Sequence, residues 1–118
     1  MEPHVLDDLR QPTRELRRMI PRVYETFGSM HDAALADGAL DTTTKELVAL
    51  AIAVVKGCDG CMAYHARALA KLGADAQQVA EAIGVAVLMD GGPAASGHGP
   101  EAWAAFRRFA DEAATRTA

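Results

Sequence analysis

The stretch from Leu47 to Val55 constrains this chain most. Leu47, Val48, Leu50, Ala51, Ile52, Val54 and Val55 leave no polar face at helical spacing, and such a helix must be covered on several sides. Asp41 and three threonines precede it, Thr43-x-x-Glu46 has the spacing of a capping box, and Gly57 stops it. A buried central helix over about 42–56 is expected. The apolar run is about half the length a helix needs to cross a bilayer, so no membrane span is expected.

Further helices follow from punctuation and periodicity. Pro12 is expected to end an irregular arm over 1–12, with Thr13 capping a short helix to about Met19. Pro21 suits the first turn of the next helix, about 21–36, where Val23, Phe27, Met30 and Ala34 form one apolar stripe. A helix from about Cys58 to Leu72 ends at Gly73, and Asp75 with Gln78 opens another over 76–90. The glycine-rich stretch after Asp90 reads as a loop to Gly99, and Pro100 opens a last helix carrying Trp103, Phe106 and Ala110 on one side. No strand signal competes. The expected fold is all-α, a bundle of about six helices in a single domain spanning residues 1–118.

Composition supports helix and adds a demand. Half of the 118 residues are apolar but only 5% are aromatic. Alanine favours helix yet buries little area, so the core is expected to be completed by subunit contacts in a homo-oligomer. The Val79–Met89 stretch suits core or such an interface. Twelve basic and sixteen acidic residues give a net charge of −4, which argues against nucleic acid as a partner. Arg14, Arg17, Arg18 and Arg22 alternate with Glu15 and Glu25, as on a solvated face or subunit contact. The first ten residues carry Glu2, Asp7 and Asp8 and lack the apolar core of a secretory signal, so the expected location is cytoplasmic.

The chemistry centres on two cysteines, Cys58 and Cys61, spaced C-x-x-C. In a reducing compartment such a pair points to redox or metal chemistry more than to a structural staple. On a helix starting at Cys58, Cys61 lies about 60° and His65 about 20° from it, so the three share a face. Backbone N–H groups of the first turn stabilise a thiolate there, most directly at Cys58. His65 can carry a proton near neutrality, and a carboxylate would fix its tautomer. Glu46, on the preceding helix, is the candidate for that carboxylate; the rival reading makes it only a cap.

The pattern Glu46, eleven residues, Cys58-x-x-Cys61, three residues, His65 resembles the motif of the alkyl hydroperoxidase D-like branch of the carboxymuconolactone decarboxylase family. The flanking Gly38-Ala-Leu-Asp-Thr and Asp90-Gly-Gly-Pro-Ala are similar too, and the likeness spans roughly residues 21–110. It implies an all-helical subunit, a trimer or hexamer, and thiol-dependent peroxidase (antioxidant) activity without a bound cofactor. By that resemblance Cys61 is oxidised by a hydroperoxide or disulfide substrate. Cys58 then resolves it as a Cys58–Cys61 disulfide, Glu46 and His65 form the proton relay, and a dithiol protein reduces the pair. The family's peroxidases carry a relay histidine just before the second cysteine, where this chain has Gly60.

Two other functions fit the same residues. One is a carboxymuconolactone decarboxylase-like reaction on a small carboxylated substrate. The other is a non-enzymatic helical oligomer that senses redox state or holds zinc through Cys58, Cys61 and His65, with Glu46 or His98 as fourth ligand; the redox reading assigns no metal. His4, His31 and His98 have no partner at informative spacing and are expected to be solvent-exposed or capping.

Overall fold

A computed structural model describes residues 4–117, with side chains described for 6–116; the side chain of His4 lies outside them. Among the described residues seven α-helices follow one another: α1 (His4–Asp8), α2 (Arg10–Met19), α3 (Pro21–Leu35), α4 (Thr42–Lys56), α5 (Asp59–Lys71), α6 (Ala76–Asp90) and α7 (Gly99–Thr117). A π-helical turn, Ala94–His98, leads into α7. Among the described residues there is no strand.

The centre of the molecule is α4, α5, α6 and α7, with α5 laid along α7 and α4 packed on both α5 and α6. Leu50 and Val54 of α4, Met62, Ala66 and Leu69 of α5, Val79 and Ile83 of α6, and Ala102, Ala105 and Phe106 of α7 form the core. The buried alanines Ala66, Ala102 and Ala105 put little side-chain bulk between α5 and α7, which lie along each other. The helices α2 and α3 stand to one side and touch the central four sparingly. Their position brings α3 over the start of α5.

The termini of the central helices have clear causes. Asp41 caps α4, its carboxylate accepting from the Thr44 N–H at 2.8 Å, and Asp75 caps α6 by accepting from Gln78 N–H at 3.2 Å. Hydrogen bonds from Thr44 hold the Asp41 carboxyl below its ordinary value. Thr43-x-x-Glu46 is therefore not a capping box: Asp41 fills the cap, and Glu46 lies inside the helix and is buried.

Three expectations need correction. Of the arm expected to be irregular over 1–12, the described residues from His4 on are largely helical, since α1 and α2 occupy them. Pro12 is the third residue of α2, where its missing N–H has no intrahelical partner to lose, so it begins the helix instead of ending the arm. The glycine-rich segment to Gly99 is not a loop throughout, because the π-turn fills Ala94–His98 and the Gly99 N–H bonds back to the Ala94 carbonyl. A Cβ at Gly99 would collide with that carbonyl, which is why glycine stands there. The third concerns α4. Leu50 and Val54 are buried, but Val48, Ile52 and Val55 are exposed within this chain.

They do not stand alone. Val85, Leu88 and Met89 of α6 lie open as well, Leu88 at 79% and Met89 at 75% exposure. Val48, Ile52 and Val55 line an apolar groove of about 500 Å³ with Val85 and Met89. The stripe Val23, Phe27 and Met30 on α3 is exposed too. No helix among the described residues is long and apolar enough to cross a membrane.

Candidate active site

The site is built where α4 turns into α5. Gly57 ends α4 in the left-handed region, φ 66°, with its N–H directed at the Ala53 and Val54 carbonyls. Cys58 N–H then bonds Ala53 O at 3.2 Å, and the chain enters α5 at Asp59. Two demands meet at Gly57. Besides the positive φ, a Cβ there would sit 2.9 Å from His98 Nε2, so the His98 ring braces the turn that carries the cysteines.

Cys58 is the residue just before α5, one position outside the helix expected to begin with it. Its Sγ accepts from the Cys61 backbone N–H at 3.2 Å. The two sulfurs are joined in a disulfide across a Cα–Cα distance of 5.2 Å, an ordinary span for such a bond. Joined in this way, neither sulfur is available as a thiolate metal ligand. Cys61 is the exposed member and Cys58 is half-buried.

One turn further along α5, His65 meets α4. Its Nδ1 lies 2.5 Å from Glu46 Oε1. Glu46 is 4% exposed in a core otherwise made of apolar side chains, so its charge depends on that imidazole for a partner. Because a carboxylate only accepts, Nδ1 carries the hydrogen and Nε2 is left as the free basic atom. The structure thus brings together Glu46 with His65 and Cys58 with Cys61, and places His65 on the helical face of Cys61.

Cys61 and His65 open onto a cavity of about 480 Å³ whose other walls include Tyr24, Phe27, His31 and Tyr64. Cys58 lies outside this lining. Gly60 borders the cavity, and a Cβ there would meet nothing within 4 Å. Sequence reasoning missed His31 and Tyr64. The Tyr64 hydroxyl lies 3.2 Å from His31 Nε2, and the Tyr64 ring stands edge-on to both His31 and His65 at centroid distances of 5.6 and 5.2 Å. A signal existed, since His31 falls four residues after Phe27 and so on the face of the α3 apolar stripe.

His98 also departs from expectation. Its side chain is partly exposed, but it packs on Gly57, and its Nδ1 is buried without a hydrogen-bond partner, 3.7 Å from Glu101 Oε2. Its ligand atom, with those of Asp59 and Glu101, falls in a group within 4.8 Å of one another. That group includes neither cysteine.

Comparison with known proteins gives this chain a family and a fold. Residues 21–111 match the model of the carboxymuconolactone decarboxylase family. An uncharacterized protein of Cupriavidus necator is 35% identical over 95 residues, covering 75% of this chain and 84% of its own. An uncharacterized protein from the cox locus of Paracoccus denitrificans is 38% identical over 80 residues, covering 68% and 72%. The apo crystal structure of a carboxymuconolactone decarboxylase family protein from Legionella pneumophila superposes with a TM-score of 0.86 at 40% identity, over 91% of this chain and 95% of that one. The family model spans the helices that build the site, from α3 into α7, and on that match the chain belongs to the carboxymuconolactone decarboxylase family.

Proposed function

We propose that this protein is a thiol peroxidase of the alkyl hydroperoxidase D-like type, cycling the Cys58/Cys61 pair between dithiol and disulfide. The observation that carries the reading is the buried Glu46–His65 pair set one helical turn from an exposed Cys61 that opens on a cavity.

In the reduced protein, His65 Nε2 takes the proton of the attacking thiol, and Glu46 holds the imidazole in the tautomer that can accept it. Access selects Cys61 as that thiol. Its thiolate attacks one oxygen of a hydroperoxide; the S–O bond forms as the O–O bond breaks, the sulfur becomes a sulfenic acid, and the other oxygen leaves as alcohol or water after taking a proton. The Cys58 thiol then displaces the sulfenic oxygen, which departs as water, and the disulfide closes.

A dithiol protein restores the pair. Its thiolate attacks the exposed Cys61 sulfur, and Cys58 leaves as a thiolate that the Cys61 N–H stabilises. A second exchange releases the reductant as a disulfide. A pair that must return to the dithiol fits a reducing compartment such as the cytoplasm. The exposed apolar faces of α3, α4 and α6 support assembly with further copies of the chain. Peroxide turnover with a dithiol reductant tests the function: Cys61→Ser abolishes it, and retained turnover in that variant refutes the assignment.

A further inference from the structure

We propose that Tyr64 is a catalytic residue of the peroxide step, delivering to the leaving oxygen a proton that His31 supplies through it. This rests on the peroxidase reading. Displacement at a peroxide oxygen runs in line, so the leaving oxygen points away from the attacking sulfur. His65, one turn from Cys61 and paired with Glu46, is taken up with the thiol proton. A donor for the departing oxygen has to be a group other than His65, and the Tyr64 hydroxyl, on the same helix but tied at its tip to His31 of α3, lines the cavity.

His31 belongs to α3, a different wall of the cavity. Its Nδ1 faces Asp32 Oδ1 at 3.4 Å and its Nε2 faces the Tyr64 hydroxyl at 3.2 Å. With Nδ1–H given to that carboxylate, the neutral ring accepts the tyrosine O–H at Nε2. Once His31 is protonated the bond reverses. Nε2–H donates to the Tyr64 oxygen, and the tyrosine O–H is released to point into the cavity. As the O–O bond breaks, the tyrosine proton passes to the leaving oxygen and the His31 proton replaces it, so alcohol departs with a neutral imidazole and an intact phenol left behind. Gly60 adds no side chain between Cys61 and this dyad.

Asp32–His31 thus forms a second carboxylate–imidazole pair on the cavity into which His65 of the Glu46–His65 pair opens, and Tyr64 stands edge-on between the two rings. The buried pair removes the thiol proton; the outer pair, through Tyr64, supplies one to oxygen.

Leaving-group chemistry separates this role from a structural one. Reduced wild type, Tyr64→Phe and His31→Gln are each mixed with tert-butyl hydroperoxide, with peracetic acid and with iodoacetamide, and Cys61 modification is timed. An alkoxide leaving group needs the proton, whereas acetate and iodide do not. Both variants should lose about ten- to a hundredfold in rate toward tert-butyl hydroperoxide, with little change toward peracetic acid and iodoacetamide. Equal losses toward all three reagents, or none toward the hydroperoxide, overturn the proposal while leaving the peroxidase reading in place. A wild-type protein inert to every peroxide overturns both.

Discussion

His65 Nδ1 and Glu46 Oε1 meet at 2.5 Å, joining α5 to α4 through a pair whose acid is 4% exposed. Replacing Glu46 by Leu leaves a half-buried imidazole without its acceptor, and the loss of stability should be about 1–3 kcal/mol in urea unfolding. Glu46→Gln keeps a hydrogen-bonding group of similar size but removes the charge. It should fold nearly as well and yet slow alkylation of Cys61 at neutral pH about tenfold, because His65 becomes a weaker base.

A second contact, between Gly57 and His98, sets the turn before the cysteines. Gly57→Ala puts a Cβ into both the left-handed region and the imidazole. The backbone part should cost about 1–2 kcal/mol, and the steric part adds to it. In a His98→Ala background only the backbone part remains. A double-mutant cycle by chemical unfolding should therefore give a coupling between the two positions, and strictly additive effects would show that the ring does not brace the turn.

Asp41 offers a prediction in pH. Its folded pKa is lowered below 3.8 by the Thr44 hydrogen bonds, so its stabilising effect is full above the unfolded value and disappears as pH falls through the folded one. The difference in melting temperature between wild type and Asp41→Ala should thus be largest near neutrality and shrink below about pH 4. A gap that stays constant down to pH 2 would assign the effect to something other than the ionised cap.

The apolar face of α4 and α6 predicts assembly. Sedimentation of the wild type should give a mass several times the 12.5 kDa chain, and Leu88→Glu, a charge on a side chain 79% exposed in the isolated subunit, should shift it toward monomer without unfolding it. A wild-type monomer would leave that face unexplained.

Local spacing made part of this site legible. Cys61 and His65 lie one turn apart on α5, so the angular rule placed them together, whereas Cys58 stands just outside the helix and meets Cys61 through the disulfide; Gly57 marked the reversal that returns Glu46 to His65. The capping-box reading of Glu46 failed for a reason visible only in three dimensions: Asp41 occupies the cap, leaving the carboxylate to the interior. His31 and Tyr64 were not paired in sequence because they are 33 residues apart on helices whose docking decides their contact. The packing of His98 on Gly57 is not legible from spacing, because it depends on the π-turn that a glycine-rich sequence hides. Pro12 misled: proline stops a helix interior but suits a first turn, and sequence alone did not say which.

The central claim is that Cys58 and Cys61 cycle as a redox pair, and intact mass with thiol alkylation tests it most directly. Reduced protein treated with one equivalent of hydroperoxide should become two hydrogens lighter and lose both alkylatable thiols, and dithiothreitol should restore them. Two thiols still open to alkylation after peroxide, or a mass that rises by oxygen atoms without loss of hydrogens, would contradict the account.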